Sequence, residues 1–174
     1  GVADYFKRFD GTAATVEDFV ACLETAGGRD LGQFRRWYSQ AGTPKVSIAT
    51  DYRDGTLVLR LIQKTPATPG QPDKEPFVIP LLAKLFYGDG SCAKDEWLIE
   101  LDQNSMEIEI EGLKEKPVLS ILRGFSAPVR LDFEQPESDR LFLMAHDDDP
   151  YSAFEAAQEL LAGWIDDLID DLDA

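Results

Sequence analysis

The sequence predicts a multi-segment α+β chain, an antiparallel β-sandwich flanked by helical segments at both ends. Three observations carry this. Between Lys45 and Glu134 apolar residues recur at every second position, as on a strand with one buried face. Before Asp30 and after Pro136 they recur at three- and four-residue spacing, as on helices. Short, turn-rich connections between one-faced strands describe two antiparallel sheets packed on each other.

At the start, Tyr5, Phe6 and Phe9 form the apolar side of a helix tail with Lys7 and Arg8 near its end, and Asp10-Gly11 breaks it. Thr15, three residues before Asp18, predicts a cap. A helix from about Val16 to Ala26 then buries Phe19, Val20 and Leu23 until Gly27-Gly28 stops it. Asp30 reads as the N-cap of a further amphipathic helix on which Leu31, Phe34, Trp37, Tyr38 and Ala41 share a face. Gly42 suits a left-handed ending, and Pro44 forbids continuation.

From Lys45 the period is two. Val46 and Ile48 lead to a turn at Arg53-Asp54-Gly55, and Leu57, Leu59 and Leu61 follow it. A proline-rich loop from Pro66 to Pro72 precedes Phe77-Val78-Ile79-Pro80-Leu81. Trp97, Ile99 and Leu101 point inward on one strand, Met106, Ile108 and Ile110 on the next, and Val129, Leu131 and Phe133 on the last. The Cys…Trp…Cys signature of antibody domains is absent, so any immunoglobulin likeness is one of architecture. After Pro136, Leu141, Phe142 and Ala145 predict a short helix, and Asp149-Pro150 the N-cap and first residue of another. That helix carries Phe154, Ala157, Leu161, Trp164, Ile165, Leu168 and Leu172 as an apolar stripe. Asp166, Asp167, Asp170, Asp171 and Asp173 crowd its C-terminal turns, against the helix dipole. The stripe reads as the opening of a helical bundle, and a start at Gly1 within a helix reads as a piece of a longer protein.

With 174 residues, 44% of them hydrophobic and 29% charged, the chain can bury a sizeable core. A net charge of -16 makes nucleic acid and anionic membrane poor partners. No apolar run is long enough to span a bilayer, and no charged-then-apolar leader is read in these residues, though a leader on a longer parent would lie outside them. Cys22 and Cys92 lie far apart and form no Cys-x-x-Cys pair, as expected of thiols in a reducing compartment such as the cytoplasm.

The chemistry-bearing residues are sparse. His146 is the single histidine, so no Ser-His-Asp set and no two-histidine metal motif can be built. His146 with Asp147, Asp148 and Asp149 reads as a helix terminus with a capping Asp, and residues 166–173 as a solvated helix end. Arg35 and Arg36 read as lining a junction, and Arg123-Gly124-Phe125 as a strand-edge turn whose Gly permits close packing. If the two glutamate-rich strands pair, Glu96, Glu100 and Asp102 sit beside Glu107, Glu109 and Glu111, and like charges oppose each other. Solvation, relief by Arg60 and Arg130, or docking of a cationic surface would each resolve this. The chain alone is expected to be no enzyme, with no catalytic, cofactor-binding or metal-ligating residue.

Three collinear stretches carry a resemblance: Tyr5 to Phe19, Gln33 to Pro44, and Leu122 to Val129 followed by Leu143 to Asp147 and Asp149-Pro150. They resemble the bacterial aminopeptidase N family, with one departure, since a His commonly precedes the Asp-Gly pair where Phe9 stands here. The resemblance implies that residues 1–43 end a catalytic domain, 44–135 form the whole sandwich spacer, and 136–174 open a C-terminal helical domain. It implies a parent that is a zinc metalloenzyme removing N-terminal residues from peptides, with a broad preference that includes alanine and basic side chains. The family's His-Glu-x-x-His and Gly-x-Met-Glu-Asn segments are absent here, so zinc and peptide substrates would belong to the parent. Flanking catalytic and C-terminal domains would be the partners, and exposed halves of two interfaces would favour dimerisation of the isolated chain. The alternative is a free-standing acidic sandwich module that binds another protein.

Overall fold

The computed structural model describes residues 1–173. Helices α1 (Val2–Phe9) and α2 (Val16–Gly27) pack through Tyr5 set edge-on to Phe19 at 5.1 Å. The predicted cap is a full capping box: the Asp18 amide donates to Thr15 Oγ1 at 3.2 Å, and the Thr15 amide to the Asp18 carboxylate at 2.8 Å. Gly28 ends α2 in the left-handed region at φ 61°. Val20 and Cys22 are buried, whereas Phe19 and Leu23 are half-buried.

The third helix is shorter than its periodicity predicts. Only one turn forms, α3 (Arg36–Ser39), preceded by hydrogen-bonded turns. Asp30 caps nothing there, because its carboxylate accepts from the Gly32 amide two residues on at 2.7 Å, a turn that competes with helix initiation. Side chains of Gln33, Arg36, Trp37 and Gln40 are engaged by carbonyls of Glu75, Pro76 and Val78 just before β3 and of Asp102 just after β4, and these tertiary bonds override local propensity.

Strands β1 (Lys45–Arg53) and β2 (Thr56–Lys64) form a hairpin. Asp54 and Gly55 both have positive φ, 50° and 82°, as a tight hairpin turn matching the strand twist requires. β3 (Ile79–Phe86) pairs antiparallel with β4 (Cys92–Leu101) and with β6 (Val118–Ile121). β5 (Ser105–Ile110) pairs with β2, and β7 (Arg130–Asp132) lies parallel to β1. The two sheets are thus β5-β2-β1-β7 and β4-β3-β6, a sandwich flanked by helices. Between them lie Leu57, Leu59, Leu61, Phe77, Ile79, Leu81, Leu85, Ile99 and Leu101, all buried.

Four features depart from the sequence reading. The β1–β7 pair is parallel in an otherwise antiparallel sandwich. Strand β6 was invisible to an alternation test because Val118, Leu119 and Ser120 are all buried, as happens where helices cover the outer face. Strands β3 and β4 run on to Phe86 and back to Cys92, through register shifts that blur the period. Finally, β4 and β5 belong to opposite sheets, so the two glutamate rows do not pair.

Helices α4 (Glu137–His146) and α5 (Pro150–Asp173) close the chain. Asp149 caps α5 as predicted, accepting from the Ser152 amide at 2.9 Å and the Ser152 hydroxyl at 2.8 Å. On α4 the buried residue is Leu143, while Leu141 and Ala145 face outward, because the helix offers only one side to the sandwich. On α5, Ser152, Ala156 and Leu160 are buried, and Phe154, Leu161, Trp164, Ile165, Leu168 and Leu172 are exposed. Asp166, Asp167 and Asp170 are exposed; the side chains of Asp171 and Asp173, and Ala174 altogether, lie outside the described residues.

Candidate functional site

The densest polar networks gather at two places, where the helical segments meet the sandwich. At the N-terminal junction the segment from Arg29 to Ala41 runs along the chain before β3. Trp37 stacks on buried Phe77 with centroids 4.4 Å apart and donates its indole N–H to the Val78 carbonyl at 2.9 Å. Gln33 donates to the Asp102 carbonyl at 2.6 Å, and Arg36 to that of Pro76. Gln40 exchanges two bonds with the Glu75 backbone, at 2.8 and 2.9 Å, fixing register as a strand pair would. Arg29 holds Glu100 in a two-bond fork, both 2.8 Å, on the exposed face of β4. Arg35 stays within the helical segment, bridging Glu17 at 2.8 Å and Glu24 at 2.9 Å. Arg35, with the Leu31 amide, holds the Glu24 carboxyl down at about 2. Gln63, which the sequence reading did not single out, sits behind this junction and is 4% exposed. Its amide donates to the carbonyls of Phe77, Leu101 and Gln103 and accepts from the Phe77 amide at 2.9 Å. It thereby joins the ends of the two sheets, β2 to the start of β3 and the end of β4.

At the C-terminal junction the centre is Arg123, in the 3-10 turn Arg123–Phe125 that follows β6. Its side chain is 5% exposed and faces Glu96 from β4 and Asp147 and Asp148 from the α4–α5 connection. Nη1 also donates to Ser120 Oγ at 3.1 Å. Burial works against the Arg123 charge; the carboxylates of Glu96, Asp148 and Asp147 outweigh it and hold its pKa above the ordinary value. Lys84 binds the other oxygen of Asp148 at 2.7 Å, and with Arg123 it keeps that carboxyl down at about 2. The Gly124 amide donates to Asp149 at 2.9 Å. Leu122, Gly124 and Phe125 take φ of 63°, 60° and 52°, a left-handed path that turns the chain around the guanidinium. A Cβ on Gly124 would meet nothing within 4 Å, so this Gly serves the backbone angle and not the close packing expected of it.

The other residues raised from sequence fall in ordinary places. His146 ends α4 and lies against the Phe142 ring at 4.8 Å. Asp147, Asp148 and Asp149 are drawn into the Arg123 cluster. Among the described residues no group of three or more His, Cys, Asp or Glu is placed to hold a metal ion. The donor set the resemblance requires for zinc is not assembled by these residues. Glu107 is paired with Arg60 at 2.6 Å, Glu96 with Arg123 and Glu100 with Arg29, whereas Arg130 makes no ion pair among those described. Both cysteines are free, Cys22 buried and Cys92 exposed. Among the described residues no helix is long and apolar enough to cross a membrane. The triple Asp after α4 was the one signal that could have pointed to a buried partner such as Arg123.

Comparison with known proteins places this geometry. The DUF3458 family, a domain of unknown function with an Ig-like fold, matches residues 42–134. Aminopeptidase N of Escherichia coli (strain K12) is 38% identical over 95% of this chain and 20% of its own length. Aminopeptidase N of Caulobacter vibrioides is 49% identical over 90% of this chain and 18% of its own length. The crystal structure of Legionella pneumophila aminopeptidase A in complex with aspartic acid superposes with a TM-score of 0.85 at 31% identity, over 97% of this chain and 19% of that one. The chain thus spans about a fifth of the length of the curated relatives it matches. The resemblance to bacterial aminopeptidase N is borne out, and the chain belongs to the DUF3458 family of Ig-like domains.

Proposed function

We propose that this chain is the non-catalytic spacer region of an aminopeptidase N. In this reading residues 1–43 close a catalytic domain, 44–135 are the sandwich, and 136–174 begin a helical domain. The sandwich fixes the two in relation to each other, over a zinc centre held by residues outside this stretch, so that short peptides reach the metal and lose their N-terminal residue. The carrying observation is that both helical segments are bonded to the sandwich by directional contacts that set orientation, through Gln33, Trp37 and Gln40 at one end and Arg123 at the other. The cytoplasm is the proposed location. The reading of a free-standing acidic module has less support, because Glu96, Glu100 and Glu107 are already engaged by arginines of this chain. The test is turnover of alanine anilide and short alanyl peptides by the purified chain beside the full-length Caulobacter relative. Release of alanine is expected from the relative alone; saturable release by the chain itself would overturn the non-catalytic reading.

A further inference from the structure

We infer that the α4–α5 helix pair is a separately releasable unit, latched to the sandwich by Arg123. This goes beyond the spacer reading and rests on the fold alone. Apart from the charge cluster, the pair meets the sandwich through a small apolar contact, with Tyr151 of α5 set against Phe125 of the 3-10 turn at 5.5 Å between centroids. Phe86 and Val118 pack against Leu143 and Ala156, with Phe142 at the edge. Gln135, in the approach to α4, donates to the Leu119 carbonyl at 2.8 Å. Alongside, a cleft of about 390 Å³ between α5 and the edges of β6 and β7 is lined by Ile121, Leu131, Tyr151 and Glu155. The helices themselves are tied to each other, by Arg140 to Glu159 at 3.0 Å and by the Trp164 indole donating to Glu137 at 3.0 Å. They can therefore part from the sandwich together.

The latch is charge-unbalanced in a way that makes Arg123 decisive. Arg123 and Lys84 face four carboxylates, those of Glu96, Asp147, Asp148 and Asp149. The Asp147 side chain is fully buried, and its Oδ2 has no hydrogen-bond partner. Its charge is compensated through Oδ1 alone, which accepts from Arg123 and from the Asp149 amide at 2.9 Å. Without the guanidinium a buried carboxylate would be left unpaired beside those of Glu96, Asp148 and Asp149, and it regains water only if the helix connection lifts away.

The test is amide hydrogen exchange of the intact chain, wild type against Arg123→Met. Amides of residues 139–160 are expected to exchange about 100-fold faster in the variant, with those of β2 and β3 unchanged to within about 3-fold. If Arg123→Met does not fold, the Lys84→Met, Asp148→Asn pair tests the exposed side of the same cluster. There about 10-fold is expected, confined to the same residues. An equal rise in helices and strands would overturn the inference, because the helices would then share one cooperative unit with the sandwich. Unchanged exchange in 139–160 would overturn it too, since Arg123 would hold nothing.

Discussion

The two junctions attach helices to the same sandwich by different physics. At the N-terminal end the attachment is spread over many neutral or half-exposed bonds to backbone carbonyls and one aromatic stack, none with a buried net charge. At the C-terminal end it converges on one nearly buried arginine among carboxylates from β4 and the α4–α5 connection. Loss of one bond in a spread set leaves the rest in register, whereas loss of the centre of a converged set leaves the buried Asp147 carboxylate without its counter-charge. The first arrangement is tolerant and the second is all-or-none. A sandwich built this way has one permanent joint and one that can be undone.

Mutations that separate the two kinds of joint should rank accordingly. The largest local effect is expected for Arg123→Met, about 3 kcal/mol against docking of α4–α5, measured from the exchange of residues 139–160. Gln63→Ala should cost about 2 kcal/mol, because the buried Phe77 amide loses its acceptor. That loss should be global, shifting the urea midpoint of the whole sandwich, and so it calibrates what a non-local effect looks like. Gln33→Ala should cost about 1 kcal/mol and leave residues 29–41 docked, as judged by unchanged Trp37 fluorescence. Smallest is Arg29→Ala, with an essentially unshifted urea midpoint, since its fork with Glu100 stands in solvent. If Gln33→Ala freed the whole N-terminal segment, the contrast between spread and converged joints would be lost.

Acid offers a gentler probe of the converged joint. The folded Asp148 carboxyl titrates at about 2, below its ordinary 3.8, because Lys84 and Arg123 favour its charged form. A lowered pKa contributes stability that is complete above 3.8 and is lost as pH falls towards 2. Exchange protection in residues 139–160 should therefore hold from neutrality to about pH 4 and decline below it. The Lys84→Met variant should flatten that decline.

How much of this was written in the sequence depended on whether contacts were local. The Thr15–Asp18 capping box, the Gly28 stop, the Asp54-Gly55 turn and the Asp149 cap are set by neighbours within a few residues, and all were legible. Alternation placed β2, β4 and β5 because each has a buried and an open face. It failed for β6, covered on both sides, and it could not say that β4 and β5 lie in opposite sheets. The Asp30–Ala41 stretch has a helix's periodicity, yet only Arg36–Ser39 is helical, since its side chains are claimed by carbonyls more than 30 residues away. Arg123 was read as part of a turn, and nothing near it in sequence reveals that Glu96 and Asp147, 27 and 24 residues away, converge on it. Gln63 was hidden for the same reason. Junctions are long-range by nature, and one-dimensional patterns do not carry them.

The central claim, a sandwich holding one helical segment permanently and the other by a single latch, is tested most directly by a distance between the two. Spin labels on the exposed positions of Ala21→Cys in α2 and Gln158→Cys in α5, in a Cys92→Ser background, would give that distribution by double electron–electron resonance. A single narrow distribution in the otherwise wild-type chain that broadens on adding Arg123→Met, while a second pair from Ala21→Cys to Glu109→Cys on β5 stays narrow, is the predicted result. A broad distribution before Arg123 is touched, or a narrow one after it, would contradict the account.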